Sequence, residues 1–188
     1  IPVVDHMHKT GIKTDSAHLA MISKKIVKKL EALEKKIFKI SKKSFNIGSS
    51  QQLSDILFNE LNIKQVSLRK TPGGVISTAA SELDKIKESH PIISLILEHR
   101  ELTKLRTTYT DALPALINPK TGRIHTSFNQ LGASTGRFSS YNPNLQNIPV
   151  RTKIGREIRK AFVAEKDFCL ISFDYSQVEL RIAASLAQ

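Results

Sequence analysis

The chain is 188 residues long with 40% hydrophobic and 24% charged residues, enough for one or two domains with a core and too apolar for a disordered segment. It has no run of eighteen apolar residues and so no membrane-spanning helix, and Ile1-Pro2-Val3-Val4-Asp5-His6 lacks the basic start and apolar stretch of a secretion signal. A formal net charge of +12 at a pI near 9.9 points to a polyanionic partner, nucleic acid before an anionic membrane.

In chain order, the first half reads as helical. The first residue is not Met, and a helical pattern is still running at Ala183–Gln188, so a piece of a longer chain is expected. Between Ser23 and Ile40, apolar residues recur at Ile26, Leu30, Leu33, Ile37 and Ile40, one stripe of a helix. Nine lysines against two glutamates lie between Met21 and Lys43, a run that fits either a solvated helix face or contact with a nucleic-acid backbone. Ser49 and Ser50 can cap a short helix with Leu53, Ile56, Leu57 and Leu61 inward. Lys70-Thr71-Pro72-Gly73-Gly74 is a turn, and Thr78 is placed to cap a helix with Ala79, Leu83 and Ile86 on its apolar face. Pro91 suits the first position of another helix, running to about Tyr109, on which Arg100 and Lys104 share one side.

Pro114 and Pro119-Lys120-Thr121-Gly122 mark a change of composition. Arg123–Phe128 is predicted as a strand, Gly132–Pro149 as a long polar loop, and Ile154–Phe162 as a short helix. Phe168-Cys169-Leu170-Ile171-Ser172-Phe173 is apolar and β-prone, and is predicted as a buried strand leading into Asp174. Its lone Cys169 can form neither an internal disulfide nor a zinc site, and is expected to be a small core residue, compatible with a reducing compartment. A helix carrying Val178, Ile182 and Leu186 follows. An aspartate directly after a buried strand is held rigidly enough to be a metal ligand, and could equally cap the following helix.

Asp174-Tyr175-Ser176-Gln177-Val178-Glu179-Leu180-Arg181 resembles the first palm signature of the family-A DNA polymerases. Thr135-Gly136-Arg137-Phe138-Ser139-Ser140-Tyr141-Asn142-Pro143-Asn144-Leu145-Gln146-Asn147-Ile148-Pro149-Val150-Arg151 is similar to the signature that precedes it, and Gly155–Phe162 continues in register. Arg100–Leu105 with Tyr109, Phe45-Asn46-Ile47, Gln51-Gln52-Leu53 and Ser77-Thr78 resemble the thumb of the bacterial enzymes. Phe138 and Val178 depart from the family's usual Leu and Ile but keep apolar volume.

The resemblance implies an α+β fold, a helical thumb subdomain followed by part of the antiparallel-sheet palm of a right-hand polymerase. Its divisions would be 1–35 joining palm and thumb, 36–117 as thumb, and 118–188 as the first half of the palm. It implies a DNA-templated DNA polymerase, monomeric and cytoplasmic, with primer-template DNA and dNTPs as partners and no membrane association. Asp174 and the backbone carbonyl of Tyr175 would bind Mg²⁺, two ions serving the complete site. Glu179 would exclude a ribose hydroxyl, with Ser176 and Gln177 shaping the nucleotide pocket. Arg137, Asn144, Gln146 and Asn147 would touch the primer-template minor groove, where correct pairs offer acceptors in nearly equivalent places. Arg100, Lys104, Lys70, Thr71, Ser77, Thr78 and Arg151 would hold the DNA backbone. Completion of the metal site would need the second palm carboxylate and the fingers, expected beyond Gln188, so this chain alone is expected to bind DNA without extending a primer. A single-subunit RNA polymerase would share the palm aspartate but not the Glu179 gate. A non-catalytic basic module would explain the charge and leave Asp174, Glu179 and the Arg137 loop without a role.

Overall fold

The computed structural model describes residues 2–65 and 68–187. Its framework is a pair of long helices. Helix α1 (Pro2–Thr10) leads through Gly11 into strand β1 (Ile12–Thr14), and Asp15 caps α2 (Ser16–Ser41) by accepting from His18 N–H at 2.9 Å. Leu19, Ile22, Ile26, Leu30, Leu33 and Ile37 of α2 are buried, the stripe that the periodicity predicts extended about two turns toward the N-terminus, while Ile40 is only partly buried. Lys42, at φ 55°, ends the helix in the left-handed conformation.

Ser49 caps α3 (Ser50–Ser54), which continues as a π-helical segment, Asp55–Glu60, and buries Leu53, Ile56 and Leu57. Helix α4 (Ala80–Lys85) begins after Ala79 without a side-chain cap. The predicted cap Thr78 is instead buried, with its carbonyl and hydroxyl both accepting from Arg100. An arginine fork satisfies two polar atoms there that a capping geometry would have turned to the helix. Helix α5 (Pro91–Leu105) starts at Pro91 under His90, whose Nδ1 accepts from Ile92 N–H at 3.2 Å, and continues as a π-helical segment, Arg106–Thr110. Helix α6 (Ala112–Ala115) follows.

The second half is built on strands β2 (Arg123–Ile124), β3 (Ser127–Asn129), β4 (Ser139–Tyr141) and β5 (Phe162–Val163), with α7 (Lys153–Arg159) before β5 and α8 (Val178–Leu186) last. One antiparallel sheet has the order β2-β1-β5, with Ile12 opposite Ile124 and Thr14 opposite Phe162. The other is the β3-β4 hairpin, with Phe128 opposite Ser140. The predicted strand 123–128 is thus divided between two sheets, and the predicted loop 132–149 contains β4. The central strand β1 was hidden in the N-terminal helical segment. Gly11 makes the entry to it possible: at φ +60° any Cβ would sit 2.6 Å from the Ile124 carbonyl oxygen.

Two apolar clusters share α2. One joins Leu19–Leu33 to Leu102, Leu105, Tyr109, Leu113, Ile124, Ile158 and Ala161; the other joins Ile37 to α3, α4 and the start of α5. The buried strand predicted at 168–173 is not formed. Among the described residues no strand pairs with it, and Phe168, Leu170, Ile171 and Phe173 stand 61–92% exposed, with Cys169 exposed beside them. A strand needs a neighbour to receive its N–H and C=O groups and a layer to cover its side chains. Composition records the preference for burial; the described residues do not supply it.

Candidate nucleic-acid and nucleotide site

Three structures position the residues singled out in the sequence: the loop around β4, the turn into α8, and the cleft between α5 and the loop that leads from α2 into α3. The loop is organised by its own amides. Gln146 reaches back so that its Oε1 accepts from Ser140 N–H at 2.9 Å and its Nε2 donates to the Phe138 carbonyl at 3.0 Å. Asn144 Oδ1 accepts from Gln146 N–H at 2.9 Å, and Ser140 Oγ accepts from Leu145 N–H at 2.8 Å. These bonds give Asn144 and Gln146 a turn-forming role whatever else they touch. Beneath them, buried Thr126 donates to the Pro143 carbonyl at 2.7 Å, tying the loop to the end of β2.

The segment that continues α5 reaches the same loop through Tyr109. The π-helical segment turns this residue inward, where it is 4% exposed, and its hydroxyl donates to the Asn147 carbonyl at 2.6 Å, with Asn147 Oδ1 at 3.1 Å. Burial raises the phenol pKa, so the hydroxyl keeps its proton for this bond. Asn147 is itself exposed, so its carboxamide remains open to a further partner. The sequence marked Tyr109 only as part of a helix; a π insertion in a long helix has no periodic signature that would have revealed this contact.

Across the site, Arg137 Nη2 lies 3.3 Å from Glu179 Oε1, with both side chains about three-quarters exposed at 78% and 74%. Two motifs 42 residues apart in sequence therefore meet. Exposed pairs of this kind add little to stability, so the contact speaks to proximity rather than to energy. Glu179 lies in the first turn of α8, where a carboxylate is favoured by the helix dipole. Gln177 is the residue before α8, at φ 52°, and the Ser176 carbonyl accepts from Arg181 Nε at 2.9 Å. Asp174 is therefore four residues upstream of the helix start, three before the cap position Gln177, and does not cap it. Asp174 and Tyr175 are both exposed in an irregular segment leading to that turn. Asp174 offers the hard oxygen that magnesium prefers, but among the described residues no group of three acidic, His or Cys side chains gathers to hold a metal. The donor chemistry fits one carboxylate's share of such a site.

Arg100, Lys104, His99 and Thr103 of α5, with Thr107 of the π-helical segment that follows it, face Asn46, Gly48 and Ser50 across a cleft of about 480 Å³. Arg100 is turned inward onto Thr78, and burial pulls its pKa down from the ordinary value; Lys104 is exposed. Lys70 pairs with Ile76 in a small turn, closed where Thr71 N–H donates to the Val75 carbonyl at 2.7 Å. Buried Glu82 anchors this turn by accepting from Arg69 N–H at 3.0 Å while bonded to Lys85 at 2.8 Å. Lys85 first, then the Arg69 amide, hold the Glu82 pKa below the carboxylate norm. Ser77 Oγ accepts from Ala79 N–H at 3.3 Å. Arg151 is exposed just before α7, whose cap Thr152 accepts from Gly155 N–H at 3.1 Å.

A helical thumb beside small antiparallel sheets, with the Arg137 loop facing the turn into α8, is the architecture of part of a right-hand polymerase. The family model for DNA polymerase family A matches residues 16–188, and the chain belongs to that family. It is 48% identical over 186 residues to the thermostable DNA polymerase I of Thermus thermophilus, covering 98% of this chain and 22% of that protein. It is 49% identical over 189 residues to DNA polymerase I of Chloroflexus aurantiacus, covering all of this chain and 20% of that one. The chain thus spans about a fifth of the length of these relatives. The POL domain of Pol1 from M. smegmatis, solved in complex with DNA primer-template and dNTP, superposes with a TM-score of 0.85 at 37% identity, covering 98% of this chain and 32% of that one. No helix among the described residues is long and apolar enough to cross a membrane.

Proposed function

We propose that this chain is the thumb and first palm portion of a DNA-templated DNA polymerase, which joins a dNTP to a primer 3′-hydroxyl with release of pyrophosphate. The observation that carries the proposal is the meeting of Arg137 with Glu179, which brings the loop signature beside the turn that bears Asp174. Arg137 and the exposed Asn147 carboxamide carry donors suited to minor-groove acceptors, which vary little among correct base pairs and so report shape rather than sequence. Glu179, in the first turn of α8, would crowd a ribose 2′-hydroxyl of the incoming nucleotide, and Ser176 and Gln177 would shape the same pocket. Lys104 and Arg151, with the Lys70–Thr78 segment, hold phosphates without regard to sequence. Arg100 acts at least in part by fixing Thr78.

Asp174 and the Tyr175 carbonyl would hold magnesium, which when bound stabilises charge on the phosphates. Two-metal transfer requires more carboxylate than Asp174 provides, so the 188-residue chain is expected to bind primer-template without extending it. The test is fluorescence-anisotropy titration of the chain with a labelled primer-template across a salt series, paired with a primer-extension assay. Binding with a log–log salt slope of several units and no extension is the expected result. A flat salt dependence, or templated synthesis by this chain alone, would contradict it.

A further inference from the structure

The lysines of α2 have no part in the site described above, and their placement is uneven. At about 100° per residue, Lys24, Lys28, Lys35 and Lys39 fall in a stripe about 60° wide running some 22 Å along the helix. All four are exposed, and none has an ion-pair partner among the described residues. Glu31 borders the stripe, and Lys36 and Lys25 extend it on the other side, where Lys25 lies in the field of Glu157. The stripe is diametrically opposite the buried face formed by Leu19, Ile26, Leu30, Leu33 and Ile37.

That placement separates it from the thumb cleft. On one flank of the α2–α5 interface Glu34 pairs with His99 at 3.1 Å, and on the other Lys29 pairs with Glu98 at 3.6 Å. The four lysines lie on the side of α2 away from both, and none of them lines the cleft.

We propose that this ridge is a second, sequence-independent contact for the backbone of duplex DNA, outside the cleft that holds the primer-template; the inference rests on the DNA-binding reading above. Unpaired lysines are point charges suited to phosphates, and a 22 Å row matches about six base pairs of rise. Single-stranded nucleic acid is recognised largely by aromatic stacking, and the stripe carries no aromatic residue. A membrane-surface helix must insert its apolar face, and the apolar face of α2 is already buried in the protein core. Duplex DNA is what remains.

The experiment compares the unaltered chain, the ridge quartet Lys24→Gln/Lys28→Gln/Lys35→Gln/Lys39→Gln and the cleft pair Lys104→Gln/Arg151→Gln. Each is titrated with an unprimed blunt duplex and with a primer-template across a salt series, and with vesicles containing phosphatidylserine. Circular dichroism checks that each variant folds, and a quartet of Arg replacements should retain binding. The ridge quartet should lose roughly 3.6 units of salt slope on the blunt duplex, at about 0.9 for each of the four contacts removed, and bind it at least tenfold more weakly at moderate salt. An unchanged slope in the quartet, while the cleft pair loses primer-template binding, overturns the ridge and leaves the cleft reading intact. A chain whose DNA affinity neither set alters overturns both. Ridge-dependent vesicle binding with unchanged duplex binding overturns the proposal in favour of an anionic lipid surface.

Discussion

Removing the Tyr109 hydroxyl tests how the thumb is joined to the palm loop. Tyr109→Phe keeps the ring in the cluster with Leu105, Leu113 and Ile158, so the change isolates the bonds to Asn147. A hydrogen bond of this kind contributes about 0.5–1.5 kcal/mol net, and a deprived buried acceptor costs up to about 3. Asn147 is itself exposed, so water can replace part of what is lost. We therefore expect a loss of about 1–2 kcal/mol, or roughly 3–6 °C in melting temperature for a chain of this size. Thermal and urea denaturation by circular dichroism measure this, with Tyr109→Leu as a comparison that also removes the ring edge. The freed Asn147 carboxamide should also weaken primer-template binding at constant salt slope, because no phosphate contact has been removed. A Tyr109→Phe variant melting within about 1 °C of the parent chain would refute the clamp.

Further expectations concern other parts of the fold. Because Glu82 titrates lower in the folded chain than in the unfolded one, its stabilisation is complete above the unfolded carboxylate pKa and lost as pH falls through the folded value. Glu82→Gln should therefore flatten the acid limb of stability measured by urea midpoint between neutral pH and pH 3; an unaltered limb would exclude Glu82 as a contributor. Gly11→Ala should cost more than Gly122→Ala, since both have positive φ but only Gly11 would set a Cβ against the Ile124 carbonyl; equal melting temperatures would remove the steric argument. Arg100→Lys should destabilise the chain by about 1 kcal/mol through lost bonds to Thr78, whereas Lys104→Gln should change stability by less than about 0.5 kcal/mol and lower the DNA salt slope by roughly 0.9. Reversal of that pattern would make Arg100 the exposed phosphate contact and Lys104 the structural one.

The helical half was legible because its signals are local. Ile26, Leu30, Leu33 and Ile37 recur at helix spacing, Ser49 caps its helix, and Pro91 opens one. The short strands were not, because three residues such as Ile12-Lys13-Thr14 carry no period, and their identity comes from partners more than a hundred residues away. The split of 123–128 between two sheets has the same cause. Segment 168–173 shows the converse, an apolar run that reads as a covered strand while nothing among the described residues covers it. At the site, motif resemblance picked out Arg137 and Glu179, which meet. It could not tell that Gln146 and Asn144 would spend their oxygens within the loop, or that Arg100 would turn onto Thr78. Those outcomes depend on rotamers and neighbours rather than on residue type and spacing.

The most direct test of the account is Asp174→Ala in a full-length polymerase containing this chain, with single-nucleotide incorporation and primer-template affinity measured side by side. In its proposed role as metal ligand, Asp174 supplies several kcal/mol of transition-state charge stabilisation, so incorporation should fall roughly a thousandfold or more while the Kd for primer-template changes by less than about twofold (~0.4 kcal/mol). Incorporation at near the unaltered rate would contradict the placement of the reaction at the turn between residue 173 and α8.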